Sequence, residues 1–138
     1  MMKQKFLHIA MFRALDCLFD EMKNPPEILD VFLTDANPYI WADHTTADPA
    51  VQADFDKSMD RQNIGAQVDE ATAYNAVKIF LAEQNFQFAE WFEDVSHDKQ
   101  HPFFVELFED ISLDEWKELC ALVTEEEEAR SSAAHKSK

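Results

Sequence analysis

The single glycine of this chain, Gly65, is the feature that most restricts its fold. Average usage of roughly 7% would place about ten glycines in a chain of this length. Tight β-hairpins and phosphate-binding loops need residues with positive φ, which glycine adopts without steric strain. The sequence therefore disfavours hairpin-rich folds, and it contains none of the glycine-rich motifs that bind nucleotides or present a nucleophilic serine.

Apolar residues recur at three- and four-residue spacing through most of the chain, which is the pattern of helices that pack on one face. In residues 3–23 this stripe predicts a long, largely buried helix with His8 on its polar side. Asn24-Pro25-Pro26 should end that helix, because proline lacks the backbone donor. Further helices are predicted after Pro26, over 48–62, over 69–84, from Pro102 and from Ser112.

Capping residues support several of these helix starts. Asp48 before Pro49 is typical of an N-cap followed by a first-turn proline. Ser112 and Glu115 match a capping box, in which each residue satisfies a backbone N–H of the other. Asn85 is expected to cap a separate helical continuation of the segment over 69–84.

No alternating apolar and polar run is long enough to indicate a strand. A chain of 138 residues is also the size of about one hydrophobic core. We therefore predict an all-α fold, a compact single-domain bundle of six or seven helices over residues 1–124. Residues 125–138 contain few bulky side chains and are predicted to form an acidic helix end and a disordered tail.

The charge balance restricts the partners of the protein. It has 28 acidic and 12 basic residues, and the formal net charge is −16. A negative field of this size repels phosphate backbones and anionic membrane surfaces, so we expect no nucleic-acid and no membrane partner. No apolar run reaches the roughly 20 residues that cross a bilayer, and we expect a cytoplasmic protein with a basic protein partner.

Cys17 and Cys120 both fall within apolar helical patterns, and the sequence has no closely spaced pair of cysteines. We expect two reduced core thiols, since a reactive thiol needs partial exposure. This argues against a cysteine nucleophile and against a structural zinc site.

One segment places carboxylates and imidazoles at metal-ligand spacing. Asp94, His97, Asp98 and His101 lie within about two helical turns. Pro102 follows directly, however, and helical di-metal centres draw such units from two helices. We therefore expect a solvated connection, no metal or cofactor, and no enzymatic activity. A metal-dependent enzyme that uses residues 94–101 remains an alternative.

The stretch TDANPYIWADHTTADPAVQADF, residues 34–55, places bulky apolar side chains where no regular helix is predicted. Tyr39, Ile40 and Trp41 lie in the longest part of the chain without a basic residue, between Lys23 and Lys57. Packing into the core is the more frequent fate of a tryptophan such as Trp41, but an aromatic side chain ringed by acids is also typical of protein interfaces. The residues that we predict to contact a partner are Asp35, Tyr39, Asp43, Asp48, Asp54 and Asp56.

In its small size, its acidity, its scarcity of glycine and this acidic and aromatic stretch, the chain resembles the immunity proteins of bacterial polymorphic toxin and contact-dependent inhibition systems. The resemblance implies a protein that neutralises a basic, nuclease-type toxin by electrostatic complementarity. It includes no family motif, so it assigns no role to any single residue.

A nucleic-acid mimic that inhibits a DNA- or RNA-binding complex is a second alternative, because such proteins are also acidic and helical. A mimic needs carboxylates at phosphate-like intervals along an extended face, about one charge per 1.7 Å of duplex axis. An antidote to one toxin needs only one acidic patch with an aromatic centre.

Overall fold

The structure, a computed structural model, describes residues 1–89 and 103–136. Among these residues there are six α-helices, which confirms the predicted all-α class. Two strands of two residues each pair in antiparallel fashion, with Met2 opposite Val68. They are too short to produce an alternating pattern in the sequence. The elements are β1 (Met2–Lys3), a 3₁₀ turn (Gln4–Phe6), α1 (Leu7–Glu21), α2 (Glu27–Ala36), α3 (Pro49–Arg61), β2 (Gln67–Val68), α4 (Glu70–Ala89), α5 (Phe103–Phe108) and α6 (Leu113–Lys136).

The predicted helix starts at Asp48 and Ser112 are confirmed. The Asp48 carboxylate accepts a hydrogen bond from the backbone N–H of Ala50 at 2.9 Å, with Pro49 in the first turn of α3. In the capping box, the N–H of Glu115 donates to the hydroxyl of Ser112 and the N–H of Ser112 donates to the Glu115 carboxylate, both at 3.1 Å. Hydrogen bonds from the backbone and the side chain of Ser112 stabilise the charged form of Glu115 and lower its pKa.

The sequence predicted that Asn85 would cap a new helix. This prediction is wrong, because α4 runs through Asn85 without a break to Ala89. Its side chain is buried, and its Oδ1 accepts a hydrogen bond from the backbone N–H of Phe104 at 3.1 Å. Asn85 therefore satisfies the free N-terminus of α5 from a neighbouring helix. Of the predicted continuation, Phe88 lies within α4, and Trp91, Phe92 and Val95 lie outside the described residues.

The core is built around the first half of α1, where the side chains from Leu7 to Phe12 are all buried. Aromatic pairs join the other helices to one another: the ring centroids of Phe55 in α3 and Phe80 in α4 are 4.9 Å apart, as are those of Phe32 in α2 and Phe104 in α5. Trp116 is fully buried and donates its indole N–H to the carbonyl oxygen of Glu70 at 2.9 Å. Burying a large apolar side chain contributes roughly 1.5–3 kcal/mol, so these contacts hold the bundle together.

Two predictions for α1 are wrong. His8 is buried and does not face solvent, because α1 is covered on all sides in its first half. Cys17 is exposed and does not lie in the core, because no residue of α1 after Leu15 is fully buried. Cys120 is buried as predicted, and burial raises its pKa to about 12.

The last helix, α6, continues to Lys136, past residue 124, where we placed the end of the helical domain. Its acidic segment contacts the start of the chain: Glu126 forms an ion pair with Arg13 at 2.7 Å, and Glu128 forms one with Lys3 at 2.8 Å. Glu127, between them, is buried. Residues 125–130, part of the predicted acidic helix end, are therefore helical and pack against the bundle.

Candidate functional site

Residues 37–48, which connect α2 to α3, form a loop with a closed base, and we call them the aromatic loop. The N–H of Ala47 donates to the carbonyl oxygen of Asn37 at 2.9 Å. The N–H of Asp48 donates to the carbonyl oxygen of Asp35, also at 2.9 Å. At the start of the loop, the side-chain oxygen of Asn37 accepts a hydrogen bond from the N–H of Tyr39. The backbone is therefore held in one shape without regular secondary structure.

The tip of the aromatic loop faces solvent. Tyr39, Ile40 and Trp41 expose 43%, 60% and 51% of their surfaces. The indole N–H of Trp41 donates to the carbonyl oxygen of Ala47 at 3.1 Å, so the ring is held against its own loop. Trp41 therefore does not fill the core, which was the more frequent of the two fates considered from the sequence.

Tyr39 connects the loop to α1. Its ring meets the rings of Phe12 and His44 edge to face, with centroids 6.1 Å and 5.3 Å away. Its hydroxyl accepts a hydrogen bond from Arg13 at 3.4 Å, and the same guanidinium pairs with Glu126 of α6. These hydrogen bonds raise the pKa of Arg13. Two helices thus brace the loop tip.

His44 is the second anchor, and it lies in the left-handed region with φ of 59°, which is uncommon for a residue other than glycine. Its Nδ1 is 3.0 Å from both carboxylate oxygens of Glu127. Its carbonyl oxygen accepts a hydrogen bond from Nε2 of His8 at 2.8 Å. Strained residues of this kind occur where the surroundings over-determine the backbone, often at functional sites.

Arg130 completes this network. Its guanidinium donates to Glu127 at 3.0 and 3.2 Å, and also to the carbonyl oxygen of Ala42 at 3.1 Å. Glu127 is 5% exposed, so a nearly buried carboxylate binds one cation on its own helix and one imidazole on the loop. Because an unpaired buried charge is costly, this arrangement fixes the loop against α6.

Beside this network is a cleft of about 540 Å³ between the aromatic loop, the 3₁₀ turn, α1, α3 and α6. Four carboxylates lie on its lining: that of Asp43 from the loop, those of Asp56 and Asp60 from α3, and that of Glu127 from α6. The cations Lys5 and Arg130 also line it. Both His8 and His44 also line it. Burial lowers the pKa of His8, which favours the neutral imidazole there.

The six residues that the sequence predicted for partner contact do not form one patch. Asp43 and Asp56 line the cleft, and Tyr39 lies beside it. Asp54 lies in a different depression, between α3 and α4, because two positions along a helix separate side chains by about 200°.

Asp35 and Asp48 lie together at the base of the loop. Burial, followed by the charge of Asp48, raises the pKa of Asp35. Asp48 is engaged as the N-cap of α3, so its carboxylate has a structural role. Asp43 accepts hydrogen bonds from the backbone and hydroxyl of Thr45, and these bonds lower its pKa.

The sequence reasoning missed the buried network of His8, His44, Glu127 and Arg130. One signal for Glu127 is present, however. The buried stripe of α6 passes through Trp116, Cys120 and Val123, and the next position at this spacing is Glu127. A single acid that continues an apolar stripe indicates a buried carboxylate that has a partner elsewhere.

Within residues 1–89 and 103–136, no three His, Cys, Asp or Glu side chains are placed to hold a metal ion. The candidate ligands Asp94, His97, Asp98 and His101 lie outside the described residues. In the described part of the chain, no helix combines the length and apolar character needed to cross a bilayer. No family model, no curated protein and no solved structure matches this chain.

Proposed function

We propose that this protein binds a basic protein partner and neutralises it, in the manner of an immunity protein against a nuclease-type toxin. The observation that carries the proposal is the tip of the aromatic loop: Tyr39, Ile40 and Trp41 are exposed on a loop that is braced on both sides. Exposed apolar surface is costly in water, and when it is held rigidly it is typical of a binding surface.

Pre-organisation adds to this argument. Binding costs free energy when a loop must be ordered, and the hydrogen bonds at the base and sides of this loop are already made. Aromatic residues also supply much of the affinity at protein interfaces, because they bury a large area with few rotatable bonds.

Charge determines the kind of partner. The net charge is −16, and Asp43, Asp56 and Asp60 lie in the cleft next to the aromatic tip. Acids around an apolar centre attract a basic surface, raise its association rate and repel acidic proteins. A basic toxin domain has the complementary charge.

The test compares a tip variant, Ile40→Ser with Trp41→Ser, with a matched control. The control, Ile79→Ser with Leu113→Ser, removes two exposed apolar side chains from α4 and α6. Each protein is used to retrieve binding proteins from the native cell, and the retained protein is identified and purified. Calorimetry then measures the affinity of the purified partner for the wild type and for each variant. Co-expression then measures whether growth is protected from it.

We expect the wild type and the control to bind one basic protein and to protect growth, and the tip variant to lose both. An acidic partner, or unchanged affinity of the tip variant, contradicts the proposal. If the protein instead competes with duplex DNA for binding to many nucleic-acid-binding proteins, the nucleic-acid mimic is favoured.

A further inference from the structure

The side chains of Ile40 and Trp41 present apolar surface whose one polar atom is already bonded. The indole N–H of Trp41 donates to the carbonyl oxygen of Ala47 at 3.1 Å. A tryptophan at an interface usually donates this hydrogen to the partner or to water, because its ring is apolar and its N–H is not. Here the donor is used within the loop, so a surface that covers the ring needs no hydrogen-bond acceptor of its own.

The same two side chains stand on a tight turn at the loop tip. The N–H of His44 donates to the carbonyl oxygen of Trp41 at 3.1 Å, which closes a turn over residues 41–44. More than half of the surface of both Ile40 and Trp41 is exposed. A flat partner surface can cover only one side of such side chains, whereas a concave surface can enclose them.

Asp43 places a negative charge on this turn. Its Oδ1 accepts hydrogen bonds from both the backbone N–H and the hydroxyl of Thr45, while Oδ2 accepts none from the described residues. The side chain is exposed, and the hydrogen bonds from Thr45 lower its pKa, so the carboxylate is ionised at neutral pH. A cation beside the tip therefore has a free, fixed carboxylate oxygen to pair with.

We propose that Ile40 and Trp41 insert into a concave apolar pocket of the basic partner, and that a lysine or arginine at the rim of this pocket pairs with Asp43. This inference rests on the proposed function. A dry pocket suits these side chains because burying them leaves no side-chain donor unsatisfied. A second copy of this chain is disfavoured as the occupant, because each copy has a net charge of −16 and the two repel each other.

Two substitutions of nearly equal shape test whether the pocket is apolar. Valine and threonine differ in that threonine carries a hydroxyl, which a dry pocket cannot satisfy. The affinities of Ile40→Val and Ile40→Thr for the partner purified in the retrieval experiment are measured by calorimetry. Ile79→Val and Ile79→Thr, at an exposed position of α4, form the matched control pair.

We expect Ile40→Val to bind within about fivefold of the wild type, because it removes a single methylene group. Ile40→Thr should bind roughly tenfold more weakly than Ile40→Val, because its hydroxyl loses water without gaining a partner. Both control variants should bind like the wild type. Equal affinities of Ile40→Val and Ile40→Thr would overturn the apolar pocket.

A second measurement follows Trp41 itself. The full chain is labelled with 5-fluorotryptophan, and the Trp41→Phe variant assigns the ¹⁹F signal of Trp41. The difference between its chemical shifts in H₂O and D₂O reports contact with water, and it is measured in the free protein and in the complex. We expect this difference to disappear in the complex. Its persistence would overturn the insertion of Trp41.

The pairing of Asp43 with a cation is tested by Asp43→Asn, which keeps an oxygen for Thr45 but removes the charge. Partner affinity should fall roughly two- to fivefold at about 20 mM salt, as expected of an ion pair at an exposed rim. Asp20→Asn, at an exposed position of α1, is the control and should bind like the wild type. An equal loss in the two variants would overturn the pairing of Asp43 with a rim cation.

These outcomes are separate from the fate of the proposed function. If Ile40→Val and Ile40→Thr bind equally while Ile40→Ser with Trp41→Ser abolishes binding, the pocket assignment falls and the binding function stands. If that double variant binds normally, the pocket and the proposed function both fall.

Discussion

Nδ1 of His44 donates a hydrogen bond to Glu127 at 3.0 Å, although these residues are 83 positions apart in the chain. The contact joins the aromatic loop to the last helix, and both side chains are largely shielded from water. The shape of the exposed loop therefore depends on a carboxylate that looks, in the sequence, like one of four equivalent surface acids.

Replacing Glu127 by alanine should destabilise the protein by about 2 kcal/mol. The substitution leaves Nδ1 of His44 without its acceptor and leaves Arg130 with only the carbonyl oxygen of Ala42, and an unsatisfied partly buried group costs about 1–3 kcal/mol. Equilibrium unfolding in urea measures the change. Glu128→Ala is the control, because its ion pair with Lys3 is exposed and should contribute less than about 1 kcal/mol. Equal losses in the two variants would contradict the role assigned to Glu127.

Stability should fall as the pH drops below 6.5, in part because of His8. Burial lowers the pKa of this residue below its ordinary value of 6.5, so the unfolded chain takes up the proton more readily than the folded one. The stabilising contribution is thus complete above pH 6.5 and is lost as the pH falls towards the folded pKa. The opposing effects, which raise the pKa, are smaller than that of burial: they are the hydrogen bond to the carbonyl oxygen of His44 and the charges of Asp56 and Glu127. The electrostatic effect of the His44 side chain, the smallest, lowers the pKa as burial does.

The test for His8 is a series of urea unfolding curves from pH 7.5 to 5. His8→Gln keeps an N–H donor for the carbonyl of His44 but does not titrate. Its stability should decline less steeply over this range than that of the wild type. Parallel curves for the two proteins would show that His8 does not contribute to the pH dependence.

The two cysteines should react with iodoacetamide at very different rates. Cys17 is exposed, whereas Cys120 is fully buried and its pKa is raised to about 12 by burial. The thiolate is the reactive form, so Cys120 should be modified only when the protein unfolds. Mass spectrometry of the native protein should find one alkyl group, on Cys17, and two after denaturation in urea. Rapid native modification of Cys120 would mean that α6 opens readily.

Sequence reasoning succeeded where the interacting residues are close in the chain. Ser112 and Glu115 are three positions apart, and Asp48 caps a residue only two positions away, so the local pattern determines both contacts. The apolar faces of the helices were predicted for the same reason, because their residues are only three or four positions apart. Local signals therefore predicted most of the fold.

The candidate site depends instead on contacts between distant segments. Asn85 was predicted to cap its own segment, yet it caps α5, which is brought beside it by packing. The exposure of Trp41 depends on the closure of the loop base, and no spacing rule predicts that. The acid run from Glu125 to Glu128 gives no charge signal to distinguish its members, and only the continued apolar stripe distinguishes Glu127.

Replacing Asn85 by alanine should cost about 1–2 kcal/mol, because the N-terminus of α5 loses its side-chain acceptor in a buried position. Asn75→Ala, an exposed position on the same helix, is the matched control and should change stability little. Hydrogen exchange of the Phe104 amide should accelerate in the Asn85 variant more than exchange across α1. Unchanged protection of that amide would contradict the capping role.

Reversing two cleft charges, Asp56→Lys with Asp60→Lys, should slow association with the basic partner. Both side chains are exposed on α3, and neither serves as a helix cap. The control, Glu118→Lys with Glu125→Lys, makes the same change in net charge on the exposed side of α6, outside the cleft lining. The association rate is measured by stopped-flow fluorescence with the partner identified in the retrieval experiment. We expect the association rate of the cleft variant to be roughly tenfold lower than that of the wild type at about 20 mM salt. At about 300 mM salt the difference should be much smaller, because salt screens the charges that attract the partner. If the control loses as much as the cleft variant, the overall charge attracts the partner and the cleft has no special part in its capture.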